Sequence, residues 1–114
     1  MRTKERKFYV YIMTNAYKTV YYTGVTNDLS QRLVEHYLNR GNPTSFTGKY
    51  HVHFLIYYQG FRYVNDAIAF EKEIKGWRRE KKISLIKSFN QKLIFLNKEL
   101  LGEWPPSDNY HRKK

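Results

Sequence analysis

At 114 residues the chain is the size of one domain and is long enough for a single hydrophobic core. Its apolar share of 41% excludes a disordered chain, and the lack of cysteine excludes disulfides and thiolate zinc sites. A formal charge of +11 and eleven tyrosines point to a polyanionic partner, nucleic acid before an acidic membrane surface.

Residues 1–7 form a basic lead. The apolar run behind it, Phe8 to Met13, is too short for a signal segment or a membrane span. The expected place is therefore the cytoplasm, with no membrane partner. The same run is β-branched and aromatic, a strand with Phe8, Val10 and Ile12 on one face and Tyr9, Tyr11 and Met13 on the other. Both faces are apolar enough to be covered, as in a layered α/β domain. Thr14 to Thr19 is rich in turn residues, so Val20 to Val25 is expected to pair back as the second strand of a hairpin. Asn27 or Asp28 caps the helix that follows, which ends by Asn39 before Gly41 and Pro43. At about 100° per residue, Leu29, Leu33, Val34, Tyr37 and Leu38 occupy one half of that helix.

Asn42 to Tyr50 reads as a polar loop, and Val52 to Tyr58 as a third strand closed by Gln59-Gly60. His51 and His53 then share an exposed strand face; with no third ligand in view they do not suggest a metal site. Asn65 or Asp66 caps a second helix, Ala67 to about Arg79, whose apolar stripe is Ala67, Phe70, Ile74 and Trp77. A third helix is expected over about Lys81 to Phe89, then a short one through Leu93, Leu96 and Leu100, with Trp104 folding back on the body. Residues 105–114 form a basic tail with little to pack. One domain, 8–104, lies between lead and tail.

Several residues do not suit packing alone. Tyr22 stands near a strand end beside Gly24. Arg32 and His36, four apart, lie one above the other on the rim of the first helix's apolar half. Glu71 lies at the edge of the second helix's buried stripe, where an ionised carboxylate is costly unless it is paired or binds a metal. Taken singly, Tyr11 and Tyr22 suit core or rim aromatics with a hydrogen-bonded hydroxyl, Arg32 and His36 a solvated pair, and Glu71 an ion pair with Arg32. Taken together they bring a carboxylate, a guanidinium, an imidazole and two phenols to one sheet. A single carboxylate plus substrate phosphate oxygens suffices to hold magnesium, and phenol or imidazole can manage a proton while arginine neutralises a phosphate. Arg78, Arg79, Lys81 and Lys82 form a basic run suited to a solvated face or to steering a phosphate backbone. Tyr57, Tyr58 and Tyr63 suit packing, with stacking on unpaired bases as the other use.

The ordered series Tyr9-Val10-Tyr11, Tyr22-Thr23-Gly24, Arg32, His36 and Glu71 resembles the GIY-YIG nuclease superfamily, in particular its small single-domain bacterial members. Lys49 ahead of the third strand, Ala67 to Trp77 and Lys81 to Ile86 with Asn90 extend the resemblance over residues 8–104. Each tripeptide alone is a weak signal, and the series is a strong one. The chain departs in two places: Tyr9 stands where the first tripeptide has glycine, and Val25 where some members carry lysine. The resemblance implies an α/β (α+β) fold with a small central three-stranded antiparallel or mixed sheet flanked by helices. It implies a divalent-metal-dependent endonuclease that hydrolyses DNA phosphodiesters, structure-selective or in DNA repair and processing. One Mg2+ or Mn2+ ion would sit on Glu71, and no small-molecule cofactor is expected. Tyr22 or Tyr11 would activate water, Arg32 would hold the scissile phosphate and His36 would assist. Lys49, Arg78, Arg79, Lys81, Lys82 and Asn90 are the expected substrate-binding residues. The alternative is a nucleic-acid-binding module on the same fold with little or no cleavage.

Overall fold

The computed structural model describes residues 7–106. Apart from Lys7, Pro105 and Pro106, the expected basic lead and tail lie outside the described residues. Three strands, β1 (Phe8–Thr14), β2 (Tyr21–Thr26) and β3 (Phe54–Phe61), form one sheet of order β2-β1-β3. Both pairings are antiparallel, so of the two expected sheets the wholly antiparallel one forms. Asn15 closes the β1–β2 hairpin as its turn chemistry predicts: its side-chain oxygen accepts from the amides of Thr19 at 2.8 Å and Val20 at 3.2 Å.

β1 is the middle strand, and both of its faces are covered, as its alternation predicts. Val10 and Ile12 pack with Ile56, Tyr57, Ala67, Ile74 and Ile86, beneath α3 (Val64–Lys75) and α4 (Arg79–Phe89). Tyr11 and Met13 pack on the other side with Leu29, Leu33, Leu55 and Leu96, from α1 (Leu29–Leu38), β3 and the segment leading into α5 (Asn97–Leu101). Asp28 is the cap of α1, accepting from the Gln31 amide at 3.1 Å. Leu29, Leu33 and Val34 are its buried residues, while Leu38, expected in the apolar half, is exposed.

The expected polar loop contains a helical turn, α2 (Phe46–Lys49), capped by the Ser45 side chain. β3 starts later and runs longer than its apolar content suggests. His51 adopts a positive φ of 57° and the Val52 amide bonds back to Thr47, so pairing begins only at Phe54. His51 and His53 therefore share no strand face: His53 is 6% exposed and packs against Tyr37, Phe54 and Trp104. Trp104 does fold back, its ring 5.0 Å from that of Tyr37.

α3 begins at Val64 after Tyr63, with no side-chain cap, so neither Asn65 nor Asp66 is the capping residue. Asp66 lies instead in the first turn, where a carboxylate favours the positive end of the helix dipole. The helix stops at Gly76, and α4 starts at Arg79, ahead of the expected Lys81. Beyond α4 two buried asparagines tie the chain to β3. Asn90 donates to the carbonyls of Ile56 at 3.0 Å and Ile94 at 2.7 Å. Asn97 accepts from the Leu55 amide at 2.7 Å and donates to the His53 carbonyl at 2.9 Å.

Candidate active site

The site is built on the β1–β2 pairing, which sets Gly24 directly opposite Tyr11. A Cβ on Gly24 would stand 2.6 Å from the Tyr11 hydroxyl oxygen and 2.7 Å from Cζ, so the missing side chain makes room for the tyrosine ring. That ring is 1% exposed, and its hydroxyl lies 3.2 Å from His36 Nε2 on α1. The other ring nitrogen, Nδ1, is 3.2 Å from the Thr47 hydroxyl on α2. With its proton on Nδ1 the imidazole donates to Thr47 and accepts from Tyr11; with the proton on Nε2 both bonds reverse. Burial first, and then the Arg32 guanidinium, lower the His36 pKa to about 4, so the ring is neutral at pH 7. Burial first, and then Tyr22, push the Tyr11 phenol above its ordinary range, against the opposing pull of Arg32.

Tyr22 completes the aromatic group. Its ring is 6.3 Å from that of Tyr11 and 5.7 Å from the His36 ring. Tyr22 is half-buried, and among the described residues no group hydrogen-bonds its hydroxyl. The two tyrosines are thus distinct: Tyr11 is sealed in and tied to His36, whereas Tyr22 is only half-buried.

Arg32 is exposed, 3.4 Å from Glu35 on its own helix, and borders a polar hollow lined by Thr26, Asn27, Asp28, Gln31 and Glu35. A pair this exposed is worth little to stability and leaves the guanidinium available. Glu71 does not pair with Arg32. Its mostly buried carboxylate is held by Lys75 at 2.5 Å, one helical turn on. The hydrogen bond that Lys75 donates to Glu71 chiefly raises the Lys75 pKa; Tyr22 adds to the rise, so Lys75 and Tyr22 lie within each other's field.

The remaining expected residues are spread more widely. Lys49 is exposed on α2, two residues from Thr47, with its ammonium 5.3 Å from the Tyr50 ring. Arg78 is exposed at the start of α4 and Lys82 is half-buried there. Arg79 and Lys81 have structural partners: Arg79 donates to the Thr19 carbonyl at 2.6 Å, and Lys81 sits 4.2 Å from the Trp77 ring. Asn90 needs correction as a substrate ligand: it is buried, and its amide is committed to the backbone of Ile56 and Ile94. Sequence reasoning missed Thr47 and Lys75. The four-residue spacing from Glu71 is the available sign for Lys75; Thr47 carries none.

The donors present limit the kind of cation that the site could hold. Among the described residues no three His, Cys, Asp or Glu side chains gather, which does not suit an ion caged wholly by protein. Glu71 is a hard oxygen donor whose negative charge already attracts a cation, here the Lys75 ammonium. Such a site fits a magnesium-type ion that takes its other ligands from water and phosphate.

Comparison with known proteins places the chain in a family. The GIY-YIG catalytic domain matches residues 7–84. A UPF0213 protein encoded in the ldhD 5′ region of Pediococcus acidilactici is 32% identical over 84 residues, covering 74% of this chain and 85% of its own length. A UPF0213 protein of Staphylococcus aureus is 35% identical over 66 residues, covering 58% and 78%. The solution NMR structure of a UPF0213 protein from Bacillus halodurans is 28% identical with a TM-score of 0.46, covering 73% of this chain and 85% of that one. The matched stretch takes in the tyrosines on the paired strands, the arginine and histidine on α1 and the glutamate on α3, and the chain belongs to the GIY-YIG family, a nuclease superfamily.

Proposed function

We propose that the protein is a divalent-metal-dependent endonuclease that hydrolyses phosphodiester bonds in DNA. The observation that carries this reading is the Tyr11–His36–Thr47 chain of contacts beside the half-buried Tyr22 ring. In this reading the Tyr22 hydroxyl takes the proton of the attacking water while releasing its own to solvent, the water oxygen bonds to phosphorus, and the strand's P–O bond breaks with its leaving oxygen protonated from solvent. Tyr11 and the neutral His36 fix the geometry around it, and His36 is the ring able to accept a proton as charge develops. Arg32, weakly held by Glu35, turns to the phosphate and neutralises its growing negative charge. Lys49 on the neighbouring turn holds the strand's backbone. Glu71 would hold one Mg2+ or Mn2+ ion, which supplies Lewis-acid neutralisation of the phosphate when bound. The basic charge of the chain suits DNA, and no described helix is long and apolar enough to cross a membrane.

The test is a cleavage assay on plasmid, single-stranded and branched DNA with magnesium, manganese or chelator. Metal-dependent cutting is expected, lost in Glu71→Gln with DNA binding kept, and reduced about 100-fold or more in Arg32→Ala. Cutting that survives in Glu71→Gln refutes the assignment of the carboxylate. Binding without cutting on any substrate, unaffected by metal, refutes the enzyme and leaves a nucleic-acid-binding module whose carboxylate is permanently neutralised by Lys75.

A further inference from the structure

Beside the proposed site stand two large rings that the core does not use. Phe46 is 50% exposed and Tyr50 is 43% exposed, at the two ends of α2. Their centroids lie 5.1 Å apart, and Phe46 lies 6.5 Å from Tyr22, so the three rings form a row leading outward from the site. Lys49 stands between them in sequence, its ammonium 5.3 Å from the Tyr50 ring.

The exposure does not come from a slack loop. Asn39 donates to the Ser45 hydroxyl at 2.8 Å, and that hydroxyl accepts from the Gly48 amide at 3.0 Å. The Gly41 amide reaches the Gly48 carbonyl at 2.8 Å and the Val52 amide the Thr47 carbonyl at 2.8 Å. Gly48 is so closely wrapped that a Cβ there would meet the Asn39 carbonyl oxygen at 2.6 Å. Thr47, inside the same turn, holds His36. A knitted segment therefore holds two half-exposed rings, tilted 56° to each other, at a fixed distance from Tyr22.

We propose that Phe46 and Tyr50 form a stacking platform for an unpaired base of the DNA strand whose phosphate is held at the site. This rests on the nuclease reading given above and names the feature of the substrate it selects. Bases within a duplex stack on each other and offer no open face. A base released at a gap, flap or single-stranded segment does offer one, and aromatic side chains accept any such base. The charge agrees: Lys49 is set to take the neighbouring phosphate while the rings take the base.

The test reads binding, with the wild-type chain in chelator so that cutting plays no part. The probe is DNA with 2-aminopurine at an unpaired position of a gapped duplex, compared with the same sequence fully paired. Quenching of the probe is expected with the gapped DNA. Phe46→Ala and Tyr50→Ala should each remove it and weaken gapped-DNA binding about tenfold, with paired-DNA binding changed less than about twofold. Phe46→Trp should retain quenching. Because Tyr50 is exposed, its variant tests the platform even where Phe46→Ala does not fold. Equal loss for gapped and paired DNA, or quenching unchanged in both alanine variants, overturns the proposal. Quenching in a protein that never cuts DNA upholds the platform and fails only the nuclease reading; cutting without quenching does the reverse.

Discussion

Replacing Gly24 by alanine introduces a methyl carbon into the space that the Tyr11 ring occupies. The new carbon would be 2.7 Å from Cζ and 2.6 Å from the hydroxyl oxygen. Carbon atoms in contact sit about 3.5–4.0 Å apart, so ring or strand must give by about 1 Å. Neither moves easily: the ring is buried against Met13, Leu29 and Leu33, and β1 is hydrogen-bonded on both sides. Overpacking of this kind costs about 1–3 kcal/mol. If the hydroxyl is pushed off His36, the lost bond adds about 0.5–1.5 kcal/mol. The expected loss for Gly24→Ala is therefore about 1–4.5 kcal/mol in urea unfolding, with an unchanged dependence on denaturant. The double variant Gly24→Ala/Tyr11→Phe should recover only part of this, because the phenylalanine still carries the carbon at 2.7 Å. A loss below about 0.5 kcal/mol, or full recovery in the double variant, refutes the claim that Gly24 is there to admit Tyr11.

Acid should weaken the fold through its histidines. Burial first in both cases lowers His36 and His53 to about 4, from 6.5 for a free histidine. The unfolded chain then binds protons more readily, so stability is full above pH 6.5 and falls as pH drops toward 4, by up to about 1.4 kcal/mol per pH unit for each histidine. Unfolding measured across this window should show a shallower slope in His36→Asn than in wild type, and an unchanged slope contradicts the prediction. Asn97→Ala should cost about 2–4 kcal/mol, because the Leu55 amide and the His53 carbonyl are both left without their partner. Hydrogen exchange at Leu55 should accelerate in step, and continued protection there speaks against the tether.

The parts legible in the sequence were those set by local rules. β1 and its two faces followed from period-two alternation of β-branched and aromatic residues, and the hairpin from Asn15 and its neighbours. Tyr11, Tyr22 and His36 were named from order and spacing, and they do meet around one imidazole. What was not legible depends on distant chain. The start of β3 was misplaced because a backbone bond to Thr47 governs it, not the apolar content of Val52. Asn90 was taken for a substrate ligand because nothing in its neighbourhood announces a partner thirty-four residues away. His53 looked exposed because Tyr37 and Trp104, which bury it, arrive from two other segments. α3 begins at Val64 without the side-chain cap that a local rule seeks.

The two buried asparagines matter beyond anchorage. A terminal strand normally presents unbonded amides and carbonyls that invite a strand from another molecule. Along the first half of β3 that invitation is withdrawn: the Leu55 carbonyl receives the Leu96 amide, and Asn90 and Asn97 cover Ile56, the Leu55 amide and the His53 carbonyl. Side-chain amides here do the work of a fourth strand without adding a new outer margin of their own. In a small sheet so rich in Tyr, Phe and Ile, this shields the chain from sheet-to-sheet aggregation as it emerges and folds, and a variant lacking either asparagine risks clumping as well as unfolding.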